Sequence, residues 1–387
     1  MIFQARYRQG QFFVLASTLI GLILLGLTAC SSGATPGVTV EAGQSVQPTA
    51  TNEPTVTPIP APSSTPTREP PTPTPVPPHA IQLTSGGCCI GPVWSPDSKR
   101  VLFVDRPGAN APAGLYSVDV EKPLASPGLF TDVLGTYSRQ YTYRAISENQ
   151  QTTIERVADK KVWRIDNNGR NVTFSPDEKM IAWTVQEQEG ILADRRSDIY
   201  IANIDGTEPR KILSGLVGGG FSGWFPNSAG FLYSWRESRT ATERVTSAYT
   251  LADNTTREVI RAERIGNTLL SPNGTWLVYT VTLAPNLASN GTFIVGTDGT
   301  MRRKLEFFGA MQWRDDNRLL YIPFREKADQ SFQLFEYDVK QDKSQRLLDP
   351  AATPLFIEGG DWRVAPDGHA LVLVSSQDHN LYVVNLP

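Results

Sequence analysis

Over most of its length the chain sets short apolar runs between clusters of Ser, Pro, Asp, Asn and Gly, and the pattern repeats. "VWSPDSKRVLFV" from residue 93 returns as "TFSPDEKMIAWTV" from 173, "GWFPNSAGFLYSW" from 223 and "LLSPNGTWLVYT" from 269. "QWRDDNRLLYIPF" from 312 and "RVAPDGHALVLV" from 363 continue it, and "AISENQQTTIERV" from 145 is a weaker copy. Successive turn positions (Pro96, Glu148, Pro176, Pro226, Pro272, Asp315, Pro366) are mostly 43 to 52 residues apart, with one short step of 28. Self-similarity at this period belongs to a repeat architecture.

Each copy predicts the same elements. An apolar strand ends in Ser-Pro-Asp or a variant of it, where proline sets φ and Asp, Asn or Gly accepts the turn. A run rich in Val, Leu, Tyr, Phe and Trp follows and reads as a buried strand. A third strand comes next ("GLYSVDV", "DIYIANIDG", "TFIVGTDG", "NLYVVNL"), several copies closing on hairpin signals such as Asp-Gly. A polar fourth strand ("PRKIL", "TREVI", "RRKLEF", "QRLL") completes the unit. Four antiparallel strands in about 45 residues make one propeller blade. The expected fold is therefore an all-β propeller of four-stranded antiparallel blades, seven in number with six as the alternative, and blade two (about residues 141–170) truncated. The last repeat has only three strands, and "AIQLT" at 80–84 has the fourth-strand pattern. Pairing it with "NLYVVNL" would close the ring and remove an exposed edge.

The repeat "WSPDSKRVLFV…GLYSVDV" resembles the WD40-like, or PD40, repeat of TolB-type propellers, over nearly all of residues 80–387. The resemblance implies six or seven blades with Ser-Pro-Asp at the turn between first and second strands. TolB-type proteins carry an N-terminal α/β domain; here a different N-terminus replaces it.

That N-terminus has a separate hydrophobic pattern. Arg6 and Arg8 precede an uncharged apolar run at 12–27, and small residues lead to Cys30. This reads as a secretory signal, 1–29. The ending "LTAC" resembles the lipobox of bacterial lipoproteins, in which the cysteine is lipidated; an ordinary signal peptide or an uncut anchor is the alternative. The run is shorter than the ~20 residues of a spanning helix. Residues 30–79 hold thirteen of the 29 prolines with much Thr and Ser, a composition that stays extended. At ~3.1 Å per residue it would reach roughly 150 Å. The expected molecule is a monomeric extracytoplasmic lipoprotein, held at the bacterial cell membrane by lipid on Cys30. Its propeller spans 80–387.

Composition narrows the partners. With 36 basic and 39 acidic residues the net charge is −3, without the basic footprint of a nucleic-acid binder. The only histidines are His79, His369 and His379, with no metal-binding spacing, so neither metal nor cofactor is expected. "GFSGW" at 220–224 lacks the last glycine of a nucleophile elbow. "SPNGTW" at 271–276 reads as a turn. No hydrolase domain is expected after the last blade. The chain is expected not to be an enzyme but a binding platform for an envelope protein, peptide or polymer; the alternative is an accessory or degenerate hydrolase-type propeller. The repeated tryptophans are expected to fill the wedges between blades.

Cys88 and Cys89 stand between "AIQLT" and the first "VWSPD", on the side opposite the Ser-Pro-Asp turns. Their Cα atoms lie ~3.8 Å apart, closer than in an ordinary disulfide. Two small buried hydrophobes, a vicinal disulfide and a redox or ligand-gripping pair all fit. The corresponding connections "LVGGGFSGW" and "FIEGGDW" place Phe221, Glu358 and Asp361 with the two cysteines as candidates for one binding face.

Overall fold

The computed structural model describes residues 80–387 apart from 326, 328 and 329. The expectations for residues 1–79, including the signal, the Cys30 lipid attachment and the linker, concern positions outside the described residues. No described helix is long and apolar enough to cross a membrane.

The chain is all-β, with two short 3-10 turns, Leu192–Asp194 and Leu287–Ser289. β1 (Ala80–Gln82) is followed by the sheet β2 (Ile90–Trp94), β3 (Arg100–Asp105), β4 (Gly114–Asp119) and β5 (Gly128–Thr131). The next sheet holds β6 (Thr136–Tyr137), β7 (Tyr143–Glu148), β8 (Gln151–Arg156) and β9 (Val162–Ile165). Seven strands then share one sheet: β10 (Thr173–Phe174), β11 (Met180–Gln186), β12 (Arg196–Asn203), β13 (Arg210–Trp224), β14 (Gly230–Arg236), β15 (Glu243–Thr250) and β16 (Thr255–Glu263). Two more four-stranded sheets follow. One is β17 (Ile265–Leu270), β18 (Trp276–Val281), β19 (Gly291–Gly296) and β20 (Arg303–Leu305). The other is β21 (Gly309–Trp313), β22 (Arg318–Pro323), β23 (Phe335–Asp338) and β24 (Lys343–Arg346). β25 (Ile357–Val364), β26 (Ala370–Ser375) and β27 (Leu381–Asn385) make the last sheet together with β1. All pairings are antiparallel, and Ala80 faces Val384, Ile81 faces Val383 and Gln82 faces Tyr382.

These sheets are the blades of a β-propeller, but the expected count of seven, or six, separate blades is corrected. Five blades stand as separate four-stranded sheets. The cause is β13, whose 15 residues run on without a proline or a turn. Its first half pairs with β12 and its second half with β14, so one ladder continues where a break was expected. The region expected to be truncated is a complete four-stranded sheet with a two-residue first strand.

The repeated Ser-Pro-Asp has one chemistry throughout. Ser95 Oγ donates to Asp97 Oδ1 (2.6 Å) and accepts from Arg100 N (2.9 Å). Ser175 does the same with Asp177 and Met180, and Ser271 with Asn273 and Trp276. The turn therefore satisfies its own polar groups between two buried strands. Neighbouring turns are tied together, Asp177 N donating to Ser228 Oγ and Asp367 N to Ser98 Oγ. Pro96, Pro176, Pro226 and Pro366 line a common cavity of about 420 Å³.

Between blades the core is apolar, and the expected tryptophans contribute to it. Trp94 packs with Phe103, Tyr116 and Val372, and Trp362 with Leu320, Ile322 and Leu373. Their indoles also cross between strands: Trp224 Nε1 donates to Thr173 O (3.2 Å) and Trp313 Nε1 to Leu269 O (3.2 Å). A large ring thus fills a wedge while its polar edge finds a carbonyl.

Candidate functional site

Two cavities open at the connections leading into first strands, away from the Ser-Pro-Asp turns. The first, of about 800 Å³, is lined by Cys88, Cys89, Glu358, Asp361 and His379, with Ile90, Val104 and Val374 as apolar walls. The loop between β1 and β2 is pinned to the last blade. Cys88 N donates to His379 O (2.9 Å), Gly87 N to Asn380 Oδ1 (3.1 Å) and Gly91 N to Asp361 Oδ2 (3.3 Å). Beneath it, the buried Thr84 hydroxyl accepts from Leu381 N (2.9 Å) and lies 3.3 Å from Cys88 Sγ. Cys89 holds φ at +84°, a left-handed value that a side chain adopts only when its surroundings hold it there. The two sulfurs are in contact.

Glu358 lies on a strand whose register slips between Ile357 and Trp362. The bulge lets Glu358, Gly359 and Asp361 line the cavity. There Glu358 Oε2 meets His379 Nδ1 in a short, exposed contact. Below them Asp378 accepts from Asn380 N (3.2 Å) and from the Tyr382 hydroxyl (2.8 Å). Burial raises the Asp378 pKa, but hydrogen bonds from Asn380, Tyr382 and Ser375 outweigh it and hold it down to about 2.

The second cavity, about 500 Å³, lies within the seven-stranded sheet. Its lining includes Arg170, Thr184, Gln186, Phe221, Ser234 and Arg244. It exists because β13 is irregular, with register shifts between Val217 and Gly220 and between Phe221 and Gly223. Two glycines allow this path. Gly218 has φ +56°, and a Cβ there would lie 2.0 Å from Ala193 O. A Cβ on Gly219 would lie 1.9 Å from Ser234 O. Phe221 N donates to Thr184 Oγ1 (3.2 Å), while the Phe221 ring packs on Trp224 and Phe231. Arg244 Nη1 donates to Gly218 O (2.8 Å) and Ser234 Oγ (3.2 Å). Burial, then the nearby charge of Arg236, lowers the Arg244 pKa.

The sequence-based binding face is thus divided. Cys88, Cys89, Glu358 and Asp361 come together in one cavity, whereas Phe221 lies in the other with its ring largely in the core. Sequence reasoning missed Arg170 and Arg244, which carry no motif among 36 basic residues. The glycine-rich stretch beside them was the available signal. No cluster of three or more His, Cys, Asp or Glu residues suited to a metal occurs among the described residues.

No protein family matches the chain, and no curated protein matches it by sequence. Solved structures do share the fold. An oligogalacturonate lyase from Vibrio parahaemolyticus superposes with a TM-score of 0.56 at 9% identity, over 81% of this chain and 98% of its own. An oligogalacturonate lyase in complex with manganese gives 0.53 at 13% identity, over 81% and 97%. TolB from Acinetobacter baumannii gives 0.40 at 13% identity, over 65% and 64%, too low a score to carry an argument. At these identities the likeness is one of fold: this chain is a β-propeller.

Proposed function

We propose that the chain is a TolB-like, lipid-tethered extracytoplasmic lipoprotein whose propeller is a non-catalytic binding platform. The observation that carries the binding role is the pair of cavities at the blade entries, each beside a bulged first strand and partly lined by polar side chains. Pockets of this size on a rigid scaffold suit ligand recognition. The tether rests on the basic, apolar and small-residue succession ending in Cys30, followed by a proline-rich stretch long enough to hold the propeller away from a membrane. In this reading the seven-stranded sheet is two blades fused through β13, so that seven blades complete the ring.

A second reading is an accessory or degenerate hydrolase-type propeller. The Glu358–His379 pair beside two sulfurs favours it, because a carboxylate-oriented imidazole is a common catalytic part.

Expression of the full chain with a labelled fatty acid tests the tether: label on the wild type and none on Cys30→Ala is expected. The platform reading is tested by saturable binding of a ligand that the chain leaves chemically unchanged. Turnover of an ester or thioester substrate by the wild type, abolished in His379→Ala, would favour the second reading instead.

A further inference from the structure

Arg170 and Arg244 line the cavity in the seven-stranded sheet, and no Asp or Glu does. Neither guanidinium has a carboxylate within ion-pair distance among the described residues. The Arg170 Nε is buried and has no hydrogen-bond partner at all. Arg244 uses only Nη1 within the protein, on one carbonyl and one hydroxyl. The nearby Arg236 is already paired with Asp194 at 2.6 Å. Two arginines whose side chains are little exposed, at 11% and 5%, are each paired: Arg144 is given Glu155 and Arg314 is given Glu336, both at 2.7 Å. A partly desolvated cation without a counter-charge is costly, and a buried donor without an acceptor adds to the cost. Two of them facing one cavity leave a site short of negative charge.

The rest of the lining describes what accompanies that charge. The side-chain amides of Asn171 and Gln186 have no hydrogen-bond partner among the described residues, and both face the same space. About 500 Å³ is much more than a bare ion needs and falls within the range of small-molecule sites.

We propose that this cavity binds a small, hydroxyl-bearing organic anion, whose carboxylate or phosphate oxygens lie between the Arg170 and Arg244 guanidiniums while its hydroxyls reach Asn171 and Gln186. The inference rests on the platform reading and names the ligand class of one of its two cavities. Guanidinium forks suit planar or tetrahedral oxyanions.

The test is calorimetric titration of the full chain, purified in detergent, with gluconate, glucose 6-phosphate and neutral glucose at up to about 10 mM, above the millimolar range a two-arginine site should reach. Saturable binding of gluconate or glucose 6-phosphate, absent for glucose and weakened by added NaCl, is expected. Arg170→Gln should weaken it at least about tenfold, the worth of a charge-assisted hydrogen bond, with an unchanged thermal midpoint, since the Arg170 side chain makes no bond within the protein. Arg244→Gln should weaken it too, and Arg244→Lys less. Failure of both anions to bind, glucose binding as tightly, or full affinity in Arg170→Gln would overturn the proposal. A ligand bound by the Cys88 cavity and indifferent to Arg170→Gln would leave the platform reading standing while the anion site fell.

Discussion

Trp94, at the end of the first blade's inner strand, donates its indole N–H to the carbonyl of Arg363 in the last blade at 2.9 Å. Residues 269 positions apart thereby become neighbours. The same seam holds the apolar contacts of Trp94 with Val372 and, alongside it, the pairing of β1 with β27. Replacing Trp94 with Ala would remove both the ring and the hydrogen bond. A loss of about 3–5 kcal/mol in denaturant-induced unfolding is expected, the usual cost of deleting a buried large aromatic. A loss under about 1 kcal/mol would mean that the seam does not carry the ring closure.

Arg314 and Glu336 form the most deeply buried ion pair among the described residues, with side chains 5% and 7% exposed. Arg314 also donates to Gly368 O (2.9 Å) and Pro387 O (2.7 Å), tying the β21–β24 sheet to the last one. Glu336→Gln leaves a buried guanidinium short of charge, and a cost of about 3 kcal/mol or more is expected by chemical denaturation. The double replacement Arg314→Met with Glu336→Leu should recover a large part of it, because no charge is then stranded.

Asp378 gives an acid signature. Its folded pKa of about 2 lies below the ordinary aspartate value of 3.8. The stability it contributes is therefore complete above the unfolded value and is lost as the pH falls from about 4 through about 2. Stability measured across that window should fall less steeply in Asp378→Asn than in the wild type. An identical slope in both would show that the carboxylate is not held down by Asn380 and Tyr382.

The contact of Cys88 and Cys89 sulfurs predicts a vicinal disulfide in the oxidised protein. Under denaturing conditions, mass spectrometry should find neither cysteine alkylated before reduction and both alkylated after it. Two labels without reductant would show free thiols.

Gly219→Ala probes the fused sheet. The added methyl would meet Ser234 O at 1.9 Å, so β13 or β14 must shift. A destabilisation of about 1–3 kcal/mol is expected, as for other overpacked sites. Gly223→Ala, with open space at its Cβ, should cost less, which separates the close approach from a general loss of glycine.

Much of this fold is legible in the sequence because its signals are local. Ser95, Ser175 and Ser271 each sit two residues before the Asp or Asn they bond, so the turn chemistry is written in consecutive letters. The end-to-end closure was also readable, since 80–84 carries a strand pattern missing from the last repeat. The count of separate sheets was not. Whether β13 breaks depends on the path through 218–220, and glycines permit both a turn and a continuous bulged strand. The cysteine cavity was partly legible, as Cys88, Glu358 and Asp361 occupy equivalent connections on adjoining blades. Phe221 occupies another, but its blade is elsewhere in the ring. Arg170 and Arg244 carry no motif of their own, because what distinguishes them is the lack of an acidic neighbour in space.

The three residue pairs that join Ala80–Gln82 to the final strand also set where the molecule yields. Any tension reaching the propeller along the preceding segment enters at Ala80, and these few rungs bear it before any other ladder does. Peeling them back would reopen a single blade, free its outer edge and loosen the loop carrying Cys88, while the other sheets kept their own rungs intact. The latch that completes the circle is thus also its mechanical fuse.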